Sequence, residues 1–178
     1  MGVGMIGGLE GVAIIRREWN YRHSGGLRRL EYDFTDAGST APLKTHSGKS
    51  SRILIIEDDE AIAGMYRLQL ELDGYAVGVV GSVESAIKVI EAGETDLILL
   101  DIGLPGADGF ELLEWLATSG STAPVVLISN YSTPDLIGRA QRLGVADYRV
   151  KSSTTPSELA LAVAAVLRND MGGNKPKT

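Results

Sequence analysis

Residues 97–113 read LILLDIGLPGADGFELL. Four consecutive aliphatic residues at 97–100 are too few for a helix and describe a short strand buried on both faces. Asp101 follows directly, Gly103 and Pro105 break the chain, and apolar residues return at helical spacing from Phe110, which predicts a helix over 110–116. A buried strand that ends on a carboxylate and leads into a helix is the repeating piece of an α/β sheet.

The same piece recurs on either side. Upstream, 53–56 is a short aliphatic strand, and 61–73 predicts a helix with Ile62, Met65, Tyr66, Leu68 and Leu72 on a broad apolar face, stopped by Gly74. Residues 75–80 form a second strand, and Ser82 caps a helix whose Val83, Ala86, Ile87 and Ile90 follow the i, i+3, i+4, i+7 rule. Downstream, 125–128 is another strand, 135–143 a helix ending at Gly144, and 148–150 a weaker strand. A last helix over 156–167 carries Leu159, Ala162, Val163 and Val166 on one face, with Pro156 in its first turn. Five strands alternating with five helices imply an α/β fold, a doubly wound parallel sheet with helices on both faces. Such sheets place ligands beyond the carboxyl ends of their strands.

Those ends carry a coherent set of groups. Glu57, Asp58, Asp59 and Glu60 follow the first strand, Asp101 the third, Ser129 and Asn130 the fourth, and Lys151 the fifth. Taken singly, each has an ordinary role: acidic residues at 57–59 complement a helix dipole, and the others are common in turns and on surfaces. Together they bring several carboxylates, a hydroxyl and an ammonium to one edge. Carboxylates so close repel unless a positive charge sits among them. A hard divalent cation with oxygen ligands fits, and Mg²⁺ suits a site with few protein ligands and several waters. A carboxylate beside Mg²⁺ can act as a nucleophile toward phosphorus, with Lys151 and Ser129 taking the phosphoryl oxygens.

The rest of the chain narrows the function. There is no cysteine, which excludes disulfides and thiolate chemistry, and His23 and His46 are the only histidines. No apolar run approaches the ~18 residues of a membrane span. Residues 1–50 hold 7 Lys/Arg against 5 Asp/Glu, whereas 51–178 hold 10 against 18. An acidic body of this kind disfavours nucleic-acid binding. Residues 1–50 carry 9 of the 22 glycines and end in a turn-rich run, and so read as a poorly ordered leader and linker with at most one short element near 11–21. The main domain then covers 51–170, and 171–178 is a polar tail. The G-x-G-x-x-G at 2–7 has no strand before it, and SGKS at 47–50 lacks the first glycine of a phosphate loop, Leu43 standing there, so neither is a nucleotide site.

The strand ILIIEDDE, the segment LILLDIGLPGADGFELL, and VVLISN followed by ADYRVK resemble, in order and spacing, the receiver domain of two-component response regulators. The resemblance covers residues 52 to 168. It implies a flavodoxin-like sheet with strand order 2-1-3-4-5. It makes Glu57 and Asp58 the acidic pair for Mg²⁺, Asp101 the phosphoacceptor, and the Gly103 backbone carbonyl a further metal ligand. Ser129 becomes the switch hydroxyl, Tyr148 the switch aromatic and Lys151 the family lysine, with Pro105 and Gly109 in the turn after the acceptor. It also implies a histidine kinase or histidine phosphotransfer protein as donor, a downstream protein target, a cytoplasmic location, and a switch rather than a metabolic enzyme, with Tyr148 swinging inward when Asp101 is phosphorylated. Little chain follows Leu167, so a stand-alone receiver acting by protein contact is expected. A homodimer would use the face of the fourth helix, fifth strand and fifth helix, where Arg139, Arg142 and Asp147 suggest polar pairing.

The chain departs from the family at two points. Ser152 follows Lys151 where most receivers have a cis-linked proline; a cis bond before serine costs roughly 2.5–4 kcal/mol, so either that strain is carried or the loop runs differently. Ser129 replaces the commoner threonine and keeps its hydroxyl. Gly103 and Tyr131 correspond to positions that modulate phosphoryl lifetime in the family. Two other readings stay open: a receiver-fold module that binds partners without phosphate, and a small aspartyl-phosphate hydrolase. Gly103 counts against the second, because such hydrolases place a second aspartate there.

Overall fold

The computed structural model describes residues 2–6, 14–23, 26–35, 50–93, 95–104 and 109–171, with side chains described within 50–168. From Arg52 the elements alternate as expected: β4 (Arg52–Ile56), α1 (Glu60–Leu72), β5 (Ala76–Val80), α2 (Val83–Glu91), β6 (Leu97–Asp101), α3 (Gly109–Ser119), β7 (Val125–Ser129), α4 (Pro134–Arg142), β8 (Asp147–Val150) and α5 (Pro156–Met171). Ahead of them lie β1 (Gly2–Ile6), β2 (Ile14–His23) and β3 (Gly26–Thr35).

β4 to β8 form one parallel sheet in the order β5-β4-β6-β7-β8. Counted within the repeat this is 2-1-3-4-5, the expected order. Every residue of β6 and β7 is buried, as is β4 after its first residue. This explains why these strands read as unbroken aliphatic runs: both faces are covered by helices. β5, at one edge, has no buried residue: Ala76, Gly78 and Val79 are exposed and Val77 and Val80 half-buried.

Local chemistry sets the helix ends. Asp59 caps α1 by accepting from the N–H groups of Ala61 and Ile62 at 2.9 and 3.1 Å. Ser82 caps α2, accepting from Ser85, and Thr133 caps α4 ahead of Pro134. Gly74 and Gly144 follow α1 and α4 with φ of 88° and 82°, a left-handed conformation that side chains disfavour.

β1, β2 and β3 pair antiparallel in that order. β2 and β3 are ten residues each and pair along their whole length, Ile14 opposite Thr35 and His23 opposite Gly26. Trp19 and Tyr21 in β2, and Leu30, Tyr32 and Phe34 in β3, recur every second residue. Residues 2–6 of the glycine motif form β1, an antiparallel strand and not a strand-to-helix turn. Residues 36–49 and 172–178 lie outside the described residues, as do most of the turn-rich linker and the polar tail.

Candidate functional site

Four adjacent strands deliver the functional side chains to one end of the sheet. Glu57 follows β4, Asp101 is the last residue of β6, Ser129 the last of β7, and Lys151 follows β8. Asp101 pairs in register with Ile128, so Ser129 lies one residue further along the neighbouring strand. Glu57, Asp101 and Ser129 are all buried, at 3%, 3% and 1% exposure. Asp58 is exposed.

The acidic run after β4 divides its work. Asp59 is used up as the α1 cap, the bland role open to all three acids, which leaves Glu57 and Asp58 facing the site. Carboxylate oxygens of Glu57, Asp58 and Asp101 lie within 4.8 Å of one another. At that distance two unit charges repel by about 3–4 kcal/mol at an effective dielectric near 20. One ammonium answers part of this: Lys151 Nζ sits 2.6 Å from Glu57 Oε2 and 2.8 Å from Asp101 Oδ2. The other Asp101 oxygen, Oδ1, accepts from the Gly103 N–H at 2.9 Å. Three carboxylates against one ammonium leave uncompensated negative charge, and the donors are all hard oxygens with one exposed member. That is the donor set of a small divalent cation that keeps part of its water.

Burial dominates the titration of these groups. Desolvation pushes the Glu57 carboxyl above its ordinary value of 4.5, with Lys151 opposing and the Asp101 charge adding to the rise. Lys151 is also desolvated, which lowers its pKa, yet hydrogen bonds and charge from Asp101 and Glu57 outweigh this and raise it above 10.5. A carboxyl whose pKa is raised by folding binds more protons folded than unfolded. Metal-free protein is therefore expected to lose stability as pH climbs from about 4.5 through the raised Glu57 value. Urea unfolding in EDTA across that window checks this, and Glu57→Gln should flatten the slope.

Three further features tie the site together. Gly109 starts α3 against the backbone of the preceding loop: a Cβ there would lie 2.7 Å from Ile102 Cα and 2.9 Å from the Asp101 carbonyl oxygen, closer than atoms tolerate. Ser129 Oγ accepts from the Tyr131 N–H at 3.1 Å, and the Tyr148 hydroxyl donates to the Tyr131 carbonyl at 2.8 Å. A cavity of about 240 Å³ beside Asp101 is lined by Gly103, Phe110, Ser129, Tyr131, Leu136 and Arg139 among others.

Residues 53–164 match the family profile of the response regulator receiver domain. The chain belongs to that family. This receiver is 37% identical over 101 residues to the transcriptional regulatory protein MalR of Bacillus subtilis, covering 56% of this chain and 43% of that protein. It is 32% identical over 123 residues to the response regulator protein FleR of Pseudomonas aeruginosa, covering 69% and 25%. It thus spans less than half the length of either curated relative. Among solved structures, a CheY-like receiver domain protein from Methanospirillum hungatei superposes with a TM-score of 0.66 at 27% identity, over 70% of this chain and all of that one.

Most sequence-predicted residues of the receiver meet at the site. Pro105 lies outside the described residues. The loop after Lys151 forms a 3-10 turn over Lys151–Ser153, and among the described residues no peptide bond is cis, so of the two expectations for Ser152 the altered loop is the one found. Tyr148 is buried, 2% exposed, with its hydroxyl on the Tyr131 carbonyl. On the face expected to pair with a second copy, Arg139 bonds Glu114 at 3.1 Å and lies 4.1 Å from the Phe110 ring centre, while Asp147 is buried with Arg149. Tyr66 was read only as part of the α1 apolar face. It is buried, and its phenol is pushed up by desolvation and feels the charges of Lys151, Glu57 and Asp101, so it belongs to the site's surroundings.

Proposed function

We propose that this receiver is a phosphorylation switch in which Asp101 accepts a phosphoryl group from a phosphohistidine on a histidine kinase or phosphotransfer protein in the cytoplasm. The observation that carries this reading is the cluster of Glu57, Asp58 and Asp101 with Lys151 bonded to the Asp101 carboxylate. An Asp101 oxygen attacks phosphorus, the P–N bond to the donor imidazole breaks, and an acyl phosphate remains. Glu57, Asp58, the second Asp101 oxygen and the Gly103 carbonyl would hold Mg²⁺, which when bound neutralises charge on the phosphoryl oxygens. Lys151 and the Ser129 hydroxyl are placed to take the remaining oxygens, which draws Ser129 away from the Tyr131 N–H. The output is protein contact, not turnover of an external substrate. Intact-mass measurement with Mg²⁺ and acetyl phosphate tests this: one phosphoryl increment is expected, absent in EDTA. No increment in folded protein would sink the reading and leave a phosphate-independent module.

The donor needs a way in beside Asp101. α1 starts at the site, and Met65, Leu68 and Leu72 are 44%, 60% and 73% exposed along it, spaced i, i+3, i+7. An amphipathic helix of a donor protein fits such a stripe. Leu68→Asp should slow transfer from a phosphohistidine protein by at least roughly tenfold, about 1.4 kcal/mol of docking energy, and leave the acetyl phosphate rate unchanged. Both rates are read by the same mass assay.

A further inference from the structure

We propose that the outer edge of β5 is a docking surface for the β5 of a second copy of this chain, the two strands pairing antiparallel about a two-fold axis through Gly78. The pairing is independent of the phosphorylation switch proposed above and uses none of the α1 stripe.

The first support is the direction of the β5 backbone groups. The Ala76 N–H donates to the Ser51 carbonyl at 3.0 Å, and the Val80 carbonyl accepts from the Glu57 N–H at 3.0 Å. Along a parallel ladder every second residue turns its backbone groups to the same neighbour. Ala76, Gly78 and Val80 are therefore spent on β4, and Val77 and Val79 aim both N–H and C=O outward. β5 ends the strand order, and among the described residues no strand pairs with it on that side. A row of unpaired edge groups is a template for another strand.

The second support is that this edge is unguarded. Exposed edges ordinarily carry a lysine, a proline or a bulge that keeps other strands away. Residues 74–83 read GYAVGVVGSV, with neither charge nor proline, and β5 pairs residue for residue with β4, without a bulge. Val79 on it is 38% exposed. Apart from Tyr131, the exposed large apolar side chains among the described residues all lie on α1, β5 or α2, the strand and its two neighbours in sequence, and such clustering marks a contact surface. The chain has a net charge of −6, so two copies repel, and a charge-free strip is where they meet at least cost.

The strand's own sequence selects a second copy as the occupant. About Gly78 it is nearly palindromic: Val77 answers Val79, and Ala76 answers Val80. A two-fold axis through Gly78 sets Val77 opposite the partner's Val79, a β-branched pair of the kind that stabilises neighbouring strands. Both residues carry the outward backbone groups, so each of these symmetry-related pairs exchanges both of its N–H···O=C bonds. Gly78 meets itself at the non-bonded position between them, where Cα atoms approach to about 4.5 Å. Nothing described inside the chain asks for this glycine. A Cβ there would meet only Leu54 Cδ1, at 3.7 Å, which is ordinary contact, and its φ is not positive. A strand glycine with no internal reason is a place where another backbone can come close.

Sedimentation of the full chain from roughly 1 μM to 1 mM, the affinity range of a small interface, tests this. A monomer–dimer equilibrium is expected, and it should tighten as added salt screens the acidic bodies from each other. Val79→Lys puts a guard charge on the edge and should weaken the dimer by roughly tenfold or more, with circular dichroism confirming the fold. The chain has no cysteine, so one introduced thiol reports the axis. Gly78→Cys should form an intermolecular disulfide under mild oxidant, because Cα atoms about 4.4–6.8 Å apart can be bridged. Thr122→Cys, exposed and outside every strand, should not. A monomer across the whole range, a dimer that Val79→Lys leaves intact, or one that salt dissociates would overturn the pairing. If Val79→Lys does not fold, the thiol decides: crosslinking of Gly78→Cys no faster than that of Thr122→Cys overturns it.

Discussion

Asp101→Asn is expected to gain no phosphoryl group from acetyl phosphate or from a phosphohistidine protein, under conditions where the wild type gains one. The amide keeps the volume of the side chain, and its one oxygen can accept from either the Gly103 N–H or the Lys151 ammonium, which now bond different oxygens of Asp101. It is a far weaker nucleophile toward phosphorus and cannot give an acyl phosphate. Fold and function are thereby separated: circular dichroism and melting should change little, because one negative charge leaves a site that has too many. Asp58→Asn makes the useful contrast. It keeps the acceptor and weakens the carboxylate set, so phosphorylation should become slower and need more Mg²⁺. An increment persisting in Asp101→Asn would move the acceptor elsewhere and sink the assignment.

Lys151→Met is expected to cost most in stability. Its ammonium is the cation that both Glu57 and Asp101 touch, and all three side chains are at most 8% exposed. Removing one partner from a buried charge group typically costs about 3–5 kcal/mol, which for a chain of this size corresponds to roughly 6–20 °C in Tm. The loss should be steeper at neutral pH than at pH 4–5, where Glu57, already raised by burial, takes up a proton and relieves the repulsion. Added Mg²⁺ should restore part of the loss by binding the same carboxylates, without restoring fast phosphorylation. Thermal melts at two pH values, with and without Mg²⁺, give all three comparisons. A Tm within a degree of wild type at neutral pH would mean that Lys151 is an ordinary surface lysine.

The parallel sheet was legible because its central strands are buried on both faces. Leu97–Asp101 and Val125–Ser129 have no exposed residue, and only aliphatic runs survive in such positions. The site was legible for a related reason: strand ends are fixed by topology, so residues next to the strands in sequence are next to one another in space. What stayed hidden depends on contacts made later in folding. Asp59, Asp58 and Glu57 look alike in sequence, and only the start of α1 decides which becomes a cap. The burial of Asp147 and Arg149 as an ion pair could not be read from a short strand with two charges.

The missing side chain at Gly109 has a mechanical meaning. Because the first turn of α3 rests on the backbone of Asp101 and Ile102, helix and acceptor strand form a single stiff lever. Phe110, the next residue, bears the guanidinium of Arg139 on α4, which is also tethered to Glu114 about one and a half helical turns from the fulcrum. Strain introduced at the acceptor would be felt at α4 through this arm as well as through Ser129 and Tyr131. Two arms of different stiffness acting on one helix can tilt it, where one alone could only push.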